Sequence, residues 1–304
     1  MNKFLITVIG PTAIGKTALA VSLANHFDTV IISSDSRQFY KEMSIGTAVP
    51  TTAEKKGIPH HFLQHVSITT PYSVGDFEAE ALQMIHNLFQ THDTLILVGG
   101  SGLYTDAVLK GLDTFPEVSP GVREELNQTL EQKGISALQQ ELKALDPEYF
   151  QRVDIQNPHR LIRALEVCKS SGKPYSSFLG KPKANRLFKP VVVGLKAERE
   201  ILYERIHARV DQMMADGLLE EVKKLLPYKD YNALQTVGYQ ELFAFLEGVC
   251  SKETAVETIK KNTRRFAKRQ LTWYRKTTGV HWFDYQTPHH EIATVLEEKI
   301  DLMK

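Results

Sequence analysis

The segment Gly10-Pro11-Thr12-Ala13-Ile14-Gly15-Lys16-Thr17 constrains this chain more than any other. It matches Gly-x4-Gly-Lys-Ser/Thr in full and lies between a short apolar run, Phe4 to Ile9, and a helix-patterned stretch, Thr17 to His26. Glycines at both ends let the backbone curl so that several N–H groups point inward. The helix N-terminus adds partial positive charge, and Lys16 adds a full one. The result is a cradle for a diphosphate, with the Thr17 hydroxyl expected on a magnesium ion that bridges phosphate oxygens.

The cradle alone specifies a diphosphate and not a nucleoside triphosphate. An ATPase usually carries a second apolar strand ending in Asp, which helps to hold magnesium. The corresponding run here reads Leu95-Ile96-Leu97-Val98-Gly99-Gly100-Ser101, with no carboxylate at its end. That weakens an ATP-hydrolysing reading.

Further apolar, β-branched runs occur at Val30 to Ser34, Thr94 to Val98 and Val191 to Leu195, with another candidate at Gly279 to Tyr285. Helix-patterned segments separate them, which predicts buried parallel strands in βαβ units. Between about residues 115 and 187 no strand-like run appears. Ser119-Pro120 opens a helical pattern, Gly134 breaks it, and Asn157-Pro158 starts another that stops near Gly172. The expected fold class is α/β, a P-loop NTPase-like parallel sheet flanked by helices with a small all-helical insertion. The core is placed at 1–114 and 188–304 and the insertion at 115–187, with hinges at Lys110 to Pro120 and Gly180 to Pro190.

A chain of 304 residues has room for roughly two domains, and 42% apolar with 24% charged residues is ordinary globular composition. The formal charge of +1 gives no overall attraction to nucleic acid, so any such binding must come from local clusters. Cys168 and Cys250 stand far apart, which excludes a disulfide framework and fits a reducing compartment. The first apolar run is broken by Gly10 and Pro11, and no stretch approaches the ~20 apolar residues that cross a bilayer. A cytoplasmic protein without a membrane partner is expected.

The second strand ends in Ser33-Ser34-Asp35-Ser36-Arg37-Gln38, and in open parallel sheets the carboxyl ends of the strands border the ligand crevice. Asp35 can take a proton from an attacking amine or hydroxyl, orient a metal-bound water, or cap a following helix. Gly99 to Tyr104 either brings backbone and the Ser101 hydroxyl to a ligand or forms a plain turn. His60, His61 and His65 lack the carboxylate of a HExxH arrangement, and are read as structural or as lining a cleft.

The run from Lys260 to Lys276 contains many Lys and Arg and no acid. As a helix it either follows a phosphate backbone through Arg264, Lys268 and Arg275, with Trp273 packed inward, or presents a solvated face. Arg160 and Arg163 share a helical face, while Leu161, Ile162 and Leu165 read as core. Arg205 and Arg209, four residues apart, could reach a shared anion.

With GPTAIGKT, SSDSRQFYKEMSIGTAVP, IPHHFL, YSVGDFEAEA, LVGGSGLY, NPHRLIRALEV, TVGYQE and TRRFAKRQLTWYR in this order, nearly the whole chain resembles the tRNA dimethylallyltransferase family. The resemblance implies a magnesium-dependent monomer that holds dimethylallyl diphosphate on Gly10 to Thr17. It transfers the prenyl group to the adenosine 3′ of the anticodon in the anticodon stem-loop of a transfer RNA. Asp35 would accept the amine's proton, with Lys16, Thr17, Ser101 and Arg209 stabilising the leaving diphosphate. Transfer RNA contacts would fall on Asp35, Ser36, Arg37, Gln38, Ser101, Arg123, His159, Arg160, Leu161, Ile162, Arg163 and the Thr236-Val237-Gly238-Tyr239 segment. The sequence departs from the usual pattern at Ile14 (Ser), Gln64 (Asp), Ser101 (Thr) and His159 (Gln). The competing readings are a small-metabolite kinase using ATP, a prenyltransferase acting on free adenine nucleotides, and a non-enzymatic RNA-binding protein.

Overall fold

A computed structural model describes residues 2–180 and 185–304; Lys181 to Ala184, inside the second expected hinge, lie outside the described residues. The chain divides into two compact units, 1–110 with 186–304, and 111–185. The sequence reading puts these boundaries at 114/115 and 187/188.

The first unit contains, in chain order, β1 (Phe4–Ile9), α1 (Lys16–His26), β2 (Ile31–Ser33), α2 (Thr52–Lys55), β3 (His60–His61), α3 (Val74–Leu88), β4 (Thr94–Val98) and α4 (Gly102–Lys110). The helical unit follows with α5 (Val122–Lys133), α6 (Ile135–Leu145), α7 (Pro147–Arg152) and α8 (Pro158–Ser171). The chain then returns through β5 (Lys189–Lys196), α9 (Arg199–Ala215), α10 (Leu218–Leu225), α11 (Tyr239–Leu246), α12 (Lys252–Tyr274), β6 (Val280–Asp284) and α13 (His289–Met303).

The strands form one parallel sheet in the order β3-β2-β4-β1-β5-β6. Every residue of β1 and β4 is buried, which explains why those runs are apolar without alternation: helices cover both faces. Strand β1 pairs with β4 on one side and β5 on the other, so the strand order reverses at β1 and a crevice opens beyond its carboxyl end. The two-residue β3 edge strand is absent from the sequence reading. A segment that short has no period to detect, and two histidines are weak strand formers.

Local chemistry fixes the helix starts. The Ser73 hydroxyl accepts from the Asp76 N–H (3.2 Å) while Asp76 accepts from the Ser73 N–H (2.8 Å), a reciprocal cap that begins α3. In the helical unit Gly134 separates α5 from α6. Asp146 caps α7, and Asn157 with Pro158 opens α8, which stops at Gly172 with φ 66°. Leu126, Leu138, Leu142, Leu161, Ile162 and Leu165 form that unit's core.

Glu166, at 1% exposure, is one of two buried carboxylates of this unit among the described residues, the other being Asp146. Glu166 accepts two bonds from Arg123 (2.7 and 2.8 Å) and one from Arg163 (2.6 Å). Burial alone would raise its pKa, but the two guanidiniums outweigh burial and hold the carboxyl below its usual range. Arg123 and Arg163, expected as RNA contacts, are therefore engaged within the unit. Because its folded-state pKa is depressed, Glu166 stabilises the fold above the ordinary carboxylate range and loses that contribution as pH falls below it. Glu166→Gln should lower unfolding stability at pH 7 by about 1–2 kcal/mol, since both arginines remain half exposed. The deficit should shrink below about pH 4.5 in thermal melts; a deficit independent of pH would assign the effect to packing alone.

Candidate active site

The Gly10 to Thr17 turn folds as its glycines require. Gly10 has φ 145°, and a Cβ there would stand 2.8 Å from the Leu195 carbonyl oxygen. Ala13 (φ 63°) and Gly15 (φ 111°) complete the left-handed curl. The Ile14 side chain is buried in the core, so the loop presents backbone rather than side chain at that position. Helix α1 begins at Lys16, one residue earlier than the sequence pattern suggests.

Lys16 Nζ donates to the Pro11 carbonyl (2.8 Å). Crowding by protein lowers the Lys16 pKa to about 8; Asp35 pulls it upward, and Arg209 pushes it further down. Burial also lowers the Arg209 pKa, again with Asp35 opposing. These three charges thus share one space, an arrangement that suits an anionic ligand.

Two arginines of α9, Arg205 and Arg209, touch the loop. Arg209 donates to the Thr12 hydroxyl (3.4 Å) and Arg205 to the Ala13 carbonyl (2.8 Å), while the Arg205 guanidinium lies over the Tyr285 ring. Arg205 braces the loop from outside, and Arg209 faces the cleft.

Asp35 follows β2 and borders the cleft, and no helix follows it. It accepts from the Arg37 N–H (3.2 Å), a side-chain turn rather than a helix cap. The Ser101 hydroxyl meets both the Ser36 N–H (3.1 Å) and the Ser36 hydroxyl (3.0 Å), tying the carboxyl ends of β2 and β4 together beside Asp35. Gln38 donates to the Thr47 and Ala48 carbonyls, and Arg37 to the Asn232 and Ala233 carbonyls, so both shape the walls.

The cleft has a volume of about 520 Å³. Its lining includes polar Thr12, Asp35, Ser101 and Arg209 and also Val210, Met213, Leu218 and Ile259, which pack in one apolar cluster. A small group that is charged at one end and aliphatic at the other matches this lining.

Sequence reasoning missed two polar residues here. Glu221 of α10 accepts from the backbone N–H groups of Ser44, Ile45 and Gly46 (3.0, 2.8 and 3.0 Å) and from the Tyr239 hydroxyl (2.6 Å), and so fixes the loop before α2. Gln270 of α12 accepts from the Thr12 N–H (2.8 Å). No local pattern marks Glu221. Gln270 falls three residues after buried Ala267 and four before buried Tyr274, a spacing that assigns it to the inner face.

The family model described as IPP transferase matches residues 38–277. The chain is 54% identical over 301 residues to a tRNA dimethylallyltransferase of Christiangramia forsetii, covering 99% of this chain and 100% of that relative. The chain belongs to the IPP transferase family. Among solved structures it is similar to the full-length tRNA isopentenylpyrophosphate transferase of Bacillus halodurans (TM-score 0.74, 36% identity, 99% of this chain and 97% of that one). It is also similar to a eukaryotic dimethylallyltransferase acting on tRNA (TM-score 0.84, 26% identity, 99% and 80%).

Several residues that the family resemblance implies as RNA contacts lie elsewhere than expected. Leu161 and Ile162 are core side chains at 0% and 6% exposure, and Tyr239 is fully buried with its hydroxyl on Glu221. These three offer no side-chain surface to a polynucleotide; burial follows helix face, whereas the resemblance assigns a whole segment. His159 and Arg160 are exposed on α8, and Gly238 lines the cleft. Trp273, expected to pack inward, is 40% exposed at the cleft and donates to Asp106 (3.0 Å). Arg264 is engaged with His207 and the Tyr203 ring, while Arg265, Lys268, Arg269 and Arg275 are exposed. His60 and His61 form β3, and His65 packs edge-on against Phe39, Phe62 and Tyr72. Among the described residues no group of three or more His, Cys, Asp or Glu gathers as a metal site.

The Lys16 environment predicts a pH dependence. A lysine with a pKa near 8 in the free protein carries its charge at neutral pH and loses it above. Lys16→Met should weaken diphosphate binding at pH 7 by about tenfold or more. In calorimetry that deficit should shrink as pH rises past 8, because the native protein then loses the same charge; subtracting the variant cancels the ligand's own ionisation. A deficit unchanged up to pH 10 would contradict this.

Proposed function

We propose that this protein transfers the dimethylallyl group of dimethylallyl diphosphate to the exocyclic amine of the adenosine 3′ of the anticodon in transfer RNA, acting as a cytoplasmic monomer. The observation that carries this reading is the position of Asp35. It is the carboxylate facing two desolvated cations at the cradle, while β4 ends in Gly99-Gly100 with no acid for an ATP-hydrolysing site. The names of the relatives support RNA rather than free nucleotides or a small metabolite as the acceptor. Among the described residues no helix is long and apolar enough to cross a membrane.

The exocyclic amine of adenine is a weak nucleophile. Its nitrogen attacks the allylic carbon bonded to diphosphate oxygen; the carbon–oxygen bond breaks and the electron pair leaves with the diphosphate. Asp35 takes the amine proton, and Lys16, Arg209 and the N–H groups opening α1 stabilise the charge growing on the leaving group. Ser101 holds Asp35's loop in place through Ser36. The apolar part of the lining accepts the five-carbon chain, and the target base must leave its stack to reach it.

Magnesium fits this donor set, because it binds through one or two protein oxygens, substrate phosphates and waters rather than an all-protein cage. Thr17 would hold it, and it would neutralise phosphate charge.

Incubation with labelled dimethylallyl diphosphate, magnesium and unmodified transfer RNA, without ATP, should yield a prenylated adenosine after RNA digestion. Asp35→Ala should reduce kcat by about 10²-fold or more with little change in diphosphate affinity. Normal turnover by that variant would leave Asp35 as a turn residue only. Replacing exposed Arg265, Lys268 and Arg269 with Gln should weaken RNA binding and flatten its log–log salt slope by about 2; an unchanged slope would make that helix a solvated face.

A further inference from the structure

Helix α12 carries exposed cations on one side, and its opposite side reaches the cradle through Gln270. That side chain is 5% exposed. Its Oε1 accepts from the Thr12 N–H and its Nε2 donates to the Gly100 carbonyl, both at 2.8 Å. One amide therefore spans the carboxyl ends of β1 and β4, with donor and acceptor both used. The neighbourhood is built around it: a Cβ on Gly100 would stand 2.6 Å from Gln270 Nε2 and 3.1 Å from Asp35 Oδ2. Tyr274, one turn on, donates to the Gly99 carbonyl (3.3 Å) and secures the same loop.

We propose that Gln270 is a positioning residue that sets the distance between the phosphate cradle and the Gly100-Ser101 loop, and so between the leaving group and the proton acceptor. The inference rests on the functional reading above. Thr12 also receives Arg209, and Ser101 holds the Asp35 segment through Ser36, so the Gln270 amide stands between the two halves of the reacting system. Both of its hydrogen bonds are made to protein backbone. Its loss should therefore leave the cradle's N–H groups and cations in place for diphosphate while the two halves drift apart, and a misplacement of about 1 Å costs on the order of 10²-fold in rate.

Gln270→Met keeps the volume and removes both bonds; Gln270→Asn keeps the amide but is one methylene short of reaching both partners. The second variant preserves polarity at the site should the first fail to fold. Amide hydrogen exchange at Thr12, measured by NMR without substrates, should accelerate in either variant. The value of kcat should fall about tenfold or more, while the diphosphate dissociation constant stays within about threefold. A kcat within about twofold of the native value overturns the proposal whatever the exchange shows, as does a fall in kcat matched by an equal loss of diphosphate affinity. A native protein that transfers no prenyl group would sink the functional reading instead, and Thr12 exchange would then decide the bridge alone.

Discussion

Two crowded cations beside the Asp35 carboxylate are the constraint from which the rest of this structure follows. Lys16 and Arg209 would be costly to crowd together without an anion, and Asp35 offsets only part of their charge. In the proposed reaction a diphosphate supplies the rest. Its departure from carbon increases the charge that these groups meet, so the arrangement favours the transition state over the bound substrate. Asp35 has a second use in the proposed reaction, because its carboxylate also borders the cleft that would receive the acceptor amine.

The sheet explains why these groups meet. The strand order reverses at β1, and the loops after β1, β2 and β4 converge on one edge. Each contributes one part: backbone N–H groups and Lys16 from the first, Asp35 from the second, Ser101 from the third. Helix α9 adds Arg209 from a different face. Side chains then tie the loops to one another, through Ser36 with Ser101 and through Gln270 with Thr12 and Gly100. Precision at the site comes from these cross-links between loops more than from any one loop's own geometry.

Much of this was legible in the sequence wherever a local pattern has one physical cause. Fully buried strands leave unalternated apolar runs, so β1 and β4 read at their true bounds. The cradle read because its glycines, lysine and threonine stand within one turn. Asp35 read because a strand end is a short step from a crevice. Gln270 did not, since exposed Lys268 and Arg269 directly before it give the whole segment a basic appearance. Trp273 misled for a related reason: a large aromatic is read as core, but here it borders a cleft. The two-residue β3 and the Glu221 contacts depend on distant partners and leave no local trace.

A crystal structure of the protein with a non-reactive sulfur analogue of dimethylallyl diphosphate and an anticodon stem-loop tests the central claim most directly. The account predicts the diphosphate on residues 10–17 within reach of Lys16 and Arg209, and the adenine exocyclic nitrogen within hydrogen-bond distance of Asp35. A diphosphate seated away from that loop, or an Asp35 remote from the base, would contradict it.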